Sequence, residues 1–230
     1  GSFEQAIKKA SKILHIRGKV LPSTLANTHI CAELEDNTYV EEEFNVRAVG
    51  KSPIKNVFLK SNDVPPFSEA VEEILKADII VIGPGSLYTS LITNLLVTGI
   101  RNAIRSSKAT KIYVCNIVTQ PGQTDRYKVS DHIKAVTKYL GEGVLDYVIV
   151  NNNIPCKDIL DKYQKEGAAV VLMDEGVYSL NVNVKKADLV EDLNQKRVLW
   201  EKQDLLRHDP DKLADSICRV YANLPLLTIS

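Results

Sequence analysis

From residue 77 onward, short apolar runs alternate with amphipathic segments, and this alternation constrains the fold more than any other feature of the chain. The apolar runs cover residues 79–82, 111–118, 145–150 and 168–173. Apolar residues at helical spacing predict helices between these runs. The helices cover residues 88–97, 100–106, 130–140 and 155–166. Strands that alternate with helices form parallel sheets covered on both faces, with right-handed crossovers. The pattern therefore predicts an α/β fold with a mostly parallel four-stranded sheet.

The first third of the chain has a different pattern. Residues 3–15 have helical spacing and predict an opening helix. The β-prone runs at residues 28–34 and 39–46 flank a polar turn at residues 35–38, which is typical of a β-hairpin. Residues 56–59 predict another short strand. We therefore expect a small β-hairpin section near the N-terminus, beside the parallel sheet.

Two helices carry recognisable ends. Ser130 is a candidate N-cap and Gly141 a candidate C-cap for the helix at residues 130–140. After a less regular section at residues 182–193, Asp209 and Pro210 predict the N-cap and the first residue of a helix that ends near residue 221.

Composition and charge exclude several classes of protein. The 29 Lys and Arg residues are interspersed with 29 Asp and Glu residues. No strong field therefore exists to attract nucleic acid or an acidic membrane. The most apolar stretch, residues 77–100, is interrupted by Gly83, Pro84 and Gly85, so we expect no membrane span. We find no signal peptide or anchor motif and expect a cytoplasmic protein, with a homo-oligomer left open.

The four cysteines give no sign of a metal site. Cys31, Cys115, Cys156 and Cys218 are scattered, with no Cys-x-x-Cys pair and no histidine at metal-ligand spacing. We expect them to be reduced thiols in the core, and we expect neither a metal nor a cofactor.

A glycine- and proline-rich turn directly follows the run at residues 79–82. Its residues are Gly83, Pro84, Gly85, Ser86, Leu87, Tyr88, Thr89 and Ser90. Glycines let a backbone approach a ligand closely, and a new helix offers unpaired N–H groups that suit a phosphate. The turn is therefore a candidate phosphate site. The alternative is a tight strand-to-helix turn in which Ser86 only caps the helix.

A second polar turn follows the next apolar run. Candidate ligand-binding residues here are Asn116, Thr119, Gln120, Pro121 and Gly122, with Gln123 and Thr124 beside them. Their side chains suit contacts to a base or a sugar, whereas the alternative is an ordinary solvated loop. Ligands bind at the carboxyl ends of parallel strands, so turns on successive strands are expected to face one crevice.

Three other positions are weaker candidates. The forked guanidinium of Arg207 suits a diphosphate, although a surface ion pair is an alternative. Asp131 and His132 are candidates for acid or base catalysis, although a histidine at a helix start often faces solvent or caps. The loop at residues 18–24 carries hydroxyl groups that are candidates to reach the crevice.

Together these motifs resemble the bacterial gluconeogenesis factor family (YvcK-like). The resemblance rests on residues 83–90 with 94–97, 113–116 with 119–122, the Ser130-Asp131-His132 triplet, and residues 20–24 and 207–210. It spans nearly the whole chain. The sequence departs from relatives at Thr93, Gln123 and Arg126, where Pro, Glu and Gly are usual.

The resemblance implies a Rossmann-like three-layer α/β/α fold of the CofD-like superfamily, as one domain over residues 1–230. The family's glycine-rich first turn would lie upstream of Gly1, and the only methionine is Met173, so we expect a piece of a longer protein. Similar proteins are cytoplasmic, bind UDP-sugars and support cell shape and wall synthesis on gluconeogenic carbon sources. The resemblance thus implies that both turns and Arg207 hold a UDP-sugar or a similar nucleoside diphosphate.

Two alternatives stay open. The related 2-phospho-L-lactate transferases move a phospholactyl group from a guanosine diphosphate donor to a deazaflavin with Mg²⁺. That resemblance would make the chain an enzyme. The third hypothesis is a scaffold whose surface, rather than its pocket, carries the function.

Overall fold

A computed structural model of the protein describes residues 5–7, 9, 13, 17–191 and 206–223. The described part of the chain contains two sheets, one of three strands and one of four. The opening helix predicted at residues 3–15 lies largely outside the described residues, and those of its residues that are described, residues 5–7, 9 and 13, are helical.

The small sheet is antiparallel and lies near the N-terminus. Strand β1 (Ile30–Leu34) pairs with β2 (Tyr39–Glu41) and with β3 (Ile54–Leu59), so the strand order is β2-β1-β3. The hairpin prediction is confirmed, but its second strand is shorter than expected. The chain turns at Glu42 and forms helix α1 (Glu43–Arg47), from which Val46 enters the core.

The larger sheet is parallel throughout, in the order β4-β5-β6-β7. Its strands are β4 (Ile79–Ile82), β5 (Thr110–Val114), β6 (Tyr147–Asn151) and β7 (Asn183–Ala187). The first three lie at or within about two residues of the predicted starts, since their apolar runs are long and local. The predicted α/β class, with a mostly parallel sheet and a small N-terminal β section, is confirmed.

The prediction of a fourth strand at residues 168–173 is wrong. Residues 168–173 do not belong to a named strand; they run beside the segment after β5, where the Thr119 amide donates to Ala169 O (2.7 Å). Their apolar residues serve packing, and Val171 is buried. The true fourth strand, β7, pairs with β6 only, and its exposed Lys185 and Lys186 hide it from a search for apolar runs.

Helices connect and cover the strands of the parallel sheet. In chain order they are α2 (Ser68–Lys76), a π-helical turn (Leu87–Ile92) continuing into α3 (Thr93–Leu96), α4 (Thr98–Ser106), α5 (Val129–Leu140), α6 (Lys157–Lys165), a 3-10 turn (Glu175–Ser179) and α7 (Pro210–Tyr221). The predicted ends of α7 are confirmed, since the Asp209 side chain accepts from the amides of Asp211 and Lys212.

The start of α5 differs from the prediction. Gly141 ends the helix as expected, but Ser130 lies inside it rather than at its cap. The Ser130 hydroxyl instead donates to Asp174 Oδ2 (2.7 Å), and the Asp131 carboxylate accepts from the Lys128 amide (3.0 Å). A neighbouring acidic side chain therefore replaces the predicted serine cap.

Apolar cores lie on both faces of the parallel sheet, because side chains alternate along a strand. Tyr113 and Val148 face the larger core, which also contains Ala32 of β1, so the two sheets are packed together. Ile112 and Ile149 face the opposite side and meet α7. This two-sided burial accounts for the apolar runs that identified β5 and β6.

The cysteine prediction is half right. All four are free thiols, and Cys31 and Cys115 are buried. Cys156 and Cys218 are exposed, because Cys156 precedes a helix without buried residues and Cys218 lies on the outward side of α7.

Candidate functional site

A cleft of about 420 Å³ lies where β4 and β5 end, at the carboxyl edge of the parallel sheet. It is lined by Pro84, Gly85, Ser86, Asn116, Ile117, Val118, Gln120, Leu206, Arg207 and His208. Both turns and the segment before α7 therefore line one cleft. This is the convergence that the order of the motifs along the chain predicts.

The first turn brings its backbone to the rim of the cleft. Gly83 has a φ of 95°, and a Cβ there would lie 3.0 Å from Val114 O, so the position requires glycine. The amides of Ser90 and Leu91 both donate to Ser86 O (3.0 Å each). The first N–H groups of a helix have no acceptor within it, so this end of the turn favours an anion.

Ser86 stands at the cap position of this helix but makes no side-chain capping bond among the described residues. Its hydroxyl oxygen accepts a hydrogen bond from Gln120 Nε2 (3.0 Å), on the second turn. Simple capping therefore does not account for Ser86, and the hydroxyl is part of the cleft wall.

The second turn is tied to the first at another point. Asn116 Nδ2 donates to Gly85 O (3.0 Å). Asn116 Oδ1 is buried and has no hydrogen-bond partner among the described residues. Buried polar atoms are nearly always paired, so an unpaired amide oxygen on a cleft-lining residue indicates a place where a ligand or water would bind.

Several predicted site residues belong to the two turns but are not among the residues that line the cleft. They are Gly83, Leu87, Tyr88, Thr89, Ser90, Thr119, Pro121 and Gly122. Leu87 is fully buried, and Thr119 Oγ1 accepts from the Ala169 amide (2.9 Å). These residues shape the two turns, and their spacing in the sequence did not distinguish them from the lining residues.

Arg207 lies at the cleft together with residues that sequence reasoning did not select, namely Ile117, Val118, Leu206 and His208. His208 Nε2 lies 3.3 Å from Cys115 O, and burial lowers the pKa of its ring. The sequence feature that could have identified His208 is its position directly after Arg207 in the same motif. Among the described lining residues, Arg207 carries the one side chain that is permanently charged.

Asp131 and His132 lie away from this lining. The His132 ring is fully buried, its Nδ1 is 3.0 Å from Lys128 O, and its edge meets Tyr127 at a centroid distance of 5.5 Å. Burial lowers the pKa of His132 and outweighs the opposing hydrogen bond. Both residues thus have structural contacts at the start of α5.

The loop at residues 18–24 also contacts the fold rather than the cleft. Thr24 Oγ1 donates to Pro65 O (2.6 Å), and the Phe67 amide donates to Ser23 O (2.8 Å). In contrast, the departure at Arg126 has a clear structural meaning. Its φ is 61°, in the left-handed region that glycine adopts without steric cost.

Among the helices in the described ranges, none combines the length and the apolar character needed to traverse a bilayer.

Comparison with known proteins shows the family. The family model described as 2-phospho-L-lactate transferase CofD matches residues 1–190. The chain is 42% identical over 217 residues to a gluconeogenesis factor of Halalkalibacterium halodurans, covering 94% of this chain and 65% of that protein. It is 39% identical over 214 residues to the gluconeogenesis factor of Bacillus subtilis, covering 93% and 65%.

A solved crystal structure also resembles this chain. A member of the UPF0052 family from Bacillus halodurans superposes with a TM-score of 0.84 at 41% identity, over 94% of this chain and 67% of that one. The chain thus spans about two thirds of the length of the relatives that it matches. On this evidence of sequence and structure, the chain belongs to the gluconeogenesis factor family of the CofD-like superfamily.

Proposed function

We propose that this protein binds a UDP-sugar, or a similar nucleoside diphosphate, in the cleft between the two turns. Its proposed role is that of a cytoplasmic regulatory protein needed for cell shape and cell-wall homeostasis on gluconeogenic carbon sources. The observation that carries the proposal is that both turns and Arg207 line one cleft at the carboxyl edge of the sheet.

The chemistry of the lining supports a diphosphate ligand. The guanidinium of Arg207 suits paired phosphate oxygens, while the first turn supplies backbone amides and the Ser86 hydroxyl. Asn116 and Gln120 supply amide groups for a base or a sugar. A volume near 420 Å³ falls in the range of small-molecule sites, roughly 300–1,000 Å³.

The same lining favours binding over catalysis. It contains no carboxylate among the described residues, and burial lowers the pKa of the His208 ring. Acid–base catalysis needs positioned titratable groups whose pKa values lie near the working pH. A regulator that reads the ligand without consuming it therefore agrees best with these side chains.

Titration of the intact protein with UDP-N-acetylglucosamine tests the proposal. At a hundredfold excess over its dissociation constant, the ligand should raise the free energy of unfolding by about 2.7 kcal/mol. Arg207→Ala should weaken binding, whereas Arg219→Ala should not, because Arg219 lies on α7 in an ion pair with Asp215. Failure to bind any uridine nucleotide would remove the proposal.

The second candidate is a transferase, favoured by the description of the matching family model. The intact protein would be incubated with the lactyl-diphosphoguanosine donor, the deazaflavin acceptor and Mg²⁺, and product sought by mass spectrometry. Product formation would establish the enzyme, while UDP-sugar binding without turnover would favour the regulator.

The scaffold hypothesis is separated by variants of the cleft itself. A Cβ at Gly85 would lie 3.2 Å from Leu91 Cδ2, so Gly85→Leu should crowd the turn and its cleft face. If cells carrying Gly85→Leu or Arg207→Ala retain normal shape on gluconeogenic carbon sources, the surface rather than the cleft carries the function.

A further inference from the structure

Three potential metal ligands lie together on the outer face of the small antiparallel sheet. His29 directly precedes β1 and Cys31 is the second residue of that strand, so in this extended segment their side chains point to the same face. Cys31 is directly opposite Glu41 of β2. The ligand atoms of the three side chains all lie within 4.8 Å of one another.

The sequence analysis did not select this group, because it found no histidine at metal-ligand spacing. The spacing of His29 and Cys31 becomes meaningful only on a strand, and Glu41 reaches the pair through the hairpin register. The neighbouring residues Ile30 and Ala32 point the other way, into the core.

The geometry resembles an edge of a tetrahedral site. His29 Nε2 and Glu41 Oε2 are 3.4 Å apart. Ligand bonds of about 2.0–2.1 Å in a tetrahedral zinc site place a nitrogen and an oxygen ligand roughly 3.3 Å apart. Only small side-chain movements are needed to bring the Cys31 sulfur to the same centre, since it already lies within the 4.8 Å limit.

Burial differs among the three groups in a way that suits a bound ion. Cys31 is 1% exposed, which shields its sulfur from solvent, whereas the Glu41 side chain is 49% exposed. One side of the group is thus protein and the other is open to water. A three-ligand site of this shape leaves a fourth position for water.

The Lys60 ammonium would compete with a bound cation for Glu41. Lys60 on the neighbouring chain segment forms an ion pair with Glu41 Oε1, while Glu41 Oε2 faces His29. With Cys31 as thiolate, Cys31 and Glu41 together carry the two negative charges that balance a divalent cation. The Lys60 ammonium would then be a surplus positive charge beside the site.

We propose that His29, Cys31 and Glu41 form a three-ligand site for Zn²⁺ or a similar thiophilic divalent cation, which links β1 to β2. The thiol proton of Cys31 passes to solvent on binding, and the ring nitrogen of His29 that faces the ion carries no proton. The site is separate from the cleft and does not depend on the proposed function.

Titration of the intact protein with Co²⁺ tests the site, because a thiolate ligand gives cobalt an intense near-ultraviolet charge-transfer band. Wild-type protein should show this band with one equivalent of metal, and Zn²⁺ should displace it. Cys31→Ser should abolish the band. His29→Gln and Glu41→Gln should each weaken Zn²⁺ binding by at least about tenfold. Lys60→Met should strengthen Zn²⁺ binding by removing the competing ammonium.

The exposed thiols provide the matched control. Cys156 and Cys218 are the two exposed cysteines of the chain, so the double variant Cys156→Ser/Cys218→Ser should keep the cobalt band. His29→Gln and Glu41→Gln change partly exposed side chains, so both proteins should fold with unchanged circular dichroism. Retention of the band in Cys31→Ser, or its loss in the double variant, would overturn the proposal, as would wild-type affinity in both ligand variants.

Discussion

Gln120 Nε2 donates a hydrogen bond to Ser86 Oγ at 3.0 Å, and this contact joins the two turns across the cleft. The residues are 34 positions apart in the sequence and follow adjacent strands. Together with the bond from Asn116 to Gly85 O, it holds the cleft wall in place before any ligand arrives. The cleft is therefore largely preorganised, which reduces the entropy lost on binding.

The variant Gln120→Ala tests the contribution of Gln120 to binding, both through this bond and through its amide in the cleft lining. It removes the bond to Ser86, and we expect UDP-N-acetylglucosamine affinity to fall by about tenfold, the effect of a contribution near 1.4 kcal/mol. The free energy of unfolding should change little, since Gln120 is only partly buried. Calorimetric titration with parallel urea denaturation measures both quantities, and unchanged affinity would show that the contact is incidental.

Gly122 should be intolerant of a side chain. Its φ is 80°, and a Cβ would lie 2.5 Å from Ala48 O and 2.6 Å from Arg47 O. The left-handed conformation alone costs a non-glycine residue roughly 1–2 kcal/mol, and the backbone clash adds to that. We expect Gly122→Ala to destabilise the protein by more than about 2 kcal/mol and to weaken ligand binding as the second turn shifts.

Gly143→Ala is the matched control for that variant. Gly143 also has a positive φ, 70°, but within the described structure nothing lies within 4 Å of an added Cβ. Gly143→Ala should lower the free energy of unfolding by about 1 kcal/mol, measured by urea denaturation. If the two variants lose equal free energy of unfolding, the predicted clash with the Arg47 and Ala48 carbonyls is refuted.

Tyr139 connects α5 to the small sheet, and we expect this contact to contribute to the free energy of unfolding. Its hydroxyl oxygen accepts a hydrogen bond from the Val57 amide at 2.7 Å, and Val57 is buried. Tyr139→Phe leaves that amide unpaired, so the free energy of unfolding should fall by about 1–3 kcal/mol. Tyr178→Phe, at an 80% exposed position, should stay within about 0.5 kcal/mol of wild type in the same denaturation experiment.

His132 should make stability depend on pH. Burial lowers the pKa of its ring below the ordinary value of 6.5, so the folded protein keeps it neutral while the unfolded chain takes up a proton. Its contribution is complete above the unfolded pKa and is lost as pH falls below about 6.5. His132→Asn, which retains a donor near Lys128 O, should flatten the decline in unfolding free energy from about pH 7 to about pH 5.

His208 provides the comparison for this measurement. Burial lowers its pKa in the same direction, so a residual slope should remain in His132→Asn. A profile that is the same in wild type and variant would contradict the assignment to His132.

Much of the fold could be predicted because its signals are local. The apolar runs of β5 and β6 follow from burial on both faces of the sheet, and Asp209-Pro210 and Gly141 mark helix ends by their own chemistry. The two turns could be recognised because ligand-facing loops follow the strands of a parallel sheet. Their meeting in one cleft follows from β4 and β5 being neighbours.

What could not be predicted depends on partners distant in the sequence. Strand β7 carries lysines because an edge strand is only partly buried, and Ser130 bonds Asp174 across a separation of 44 residues. The sequence by itself determined the α/β pattern, the family and the turns. Only the tertiary structure decided which turn residues line the cleft and that Cys31 lies beside His29 and Glu41. The reason is physical: backbone periodicity is written locally, whereas a site is made by side chains that packing brings together.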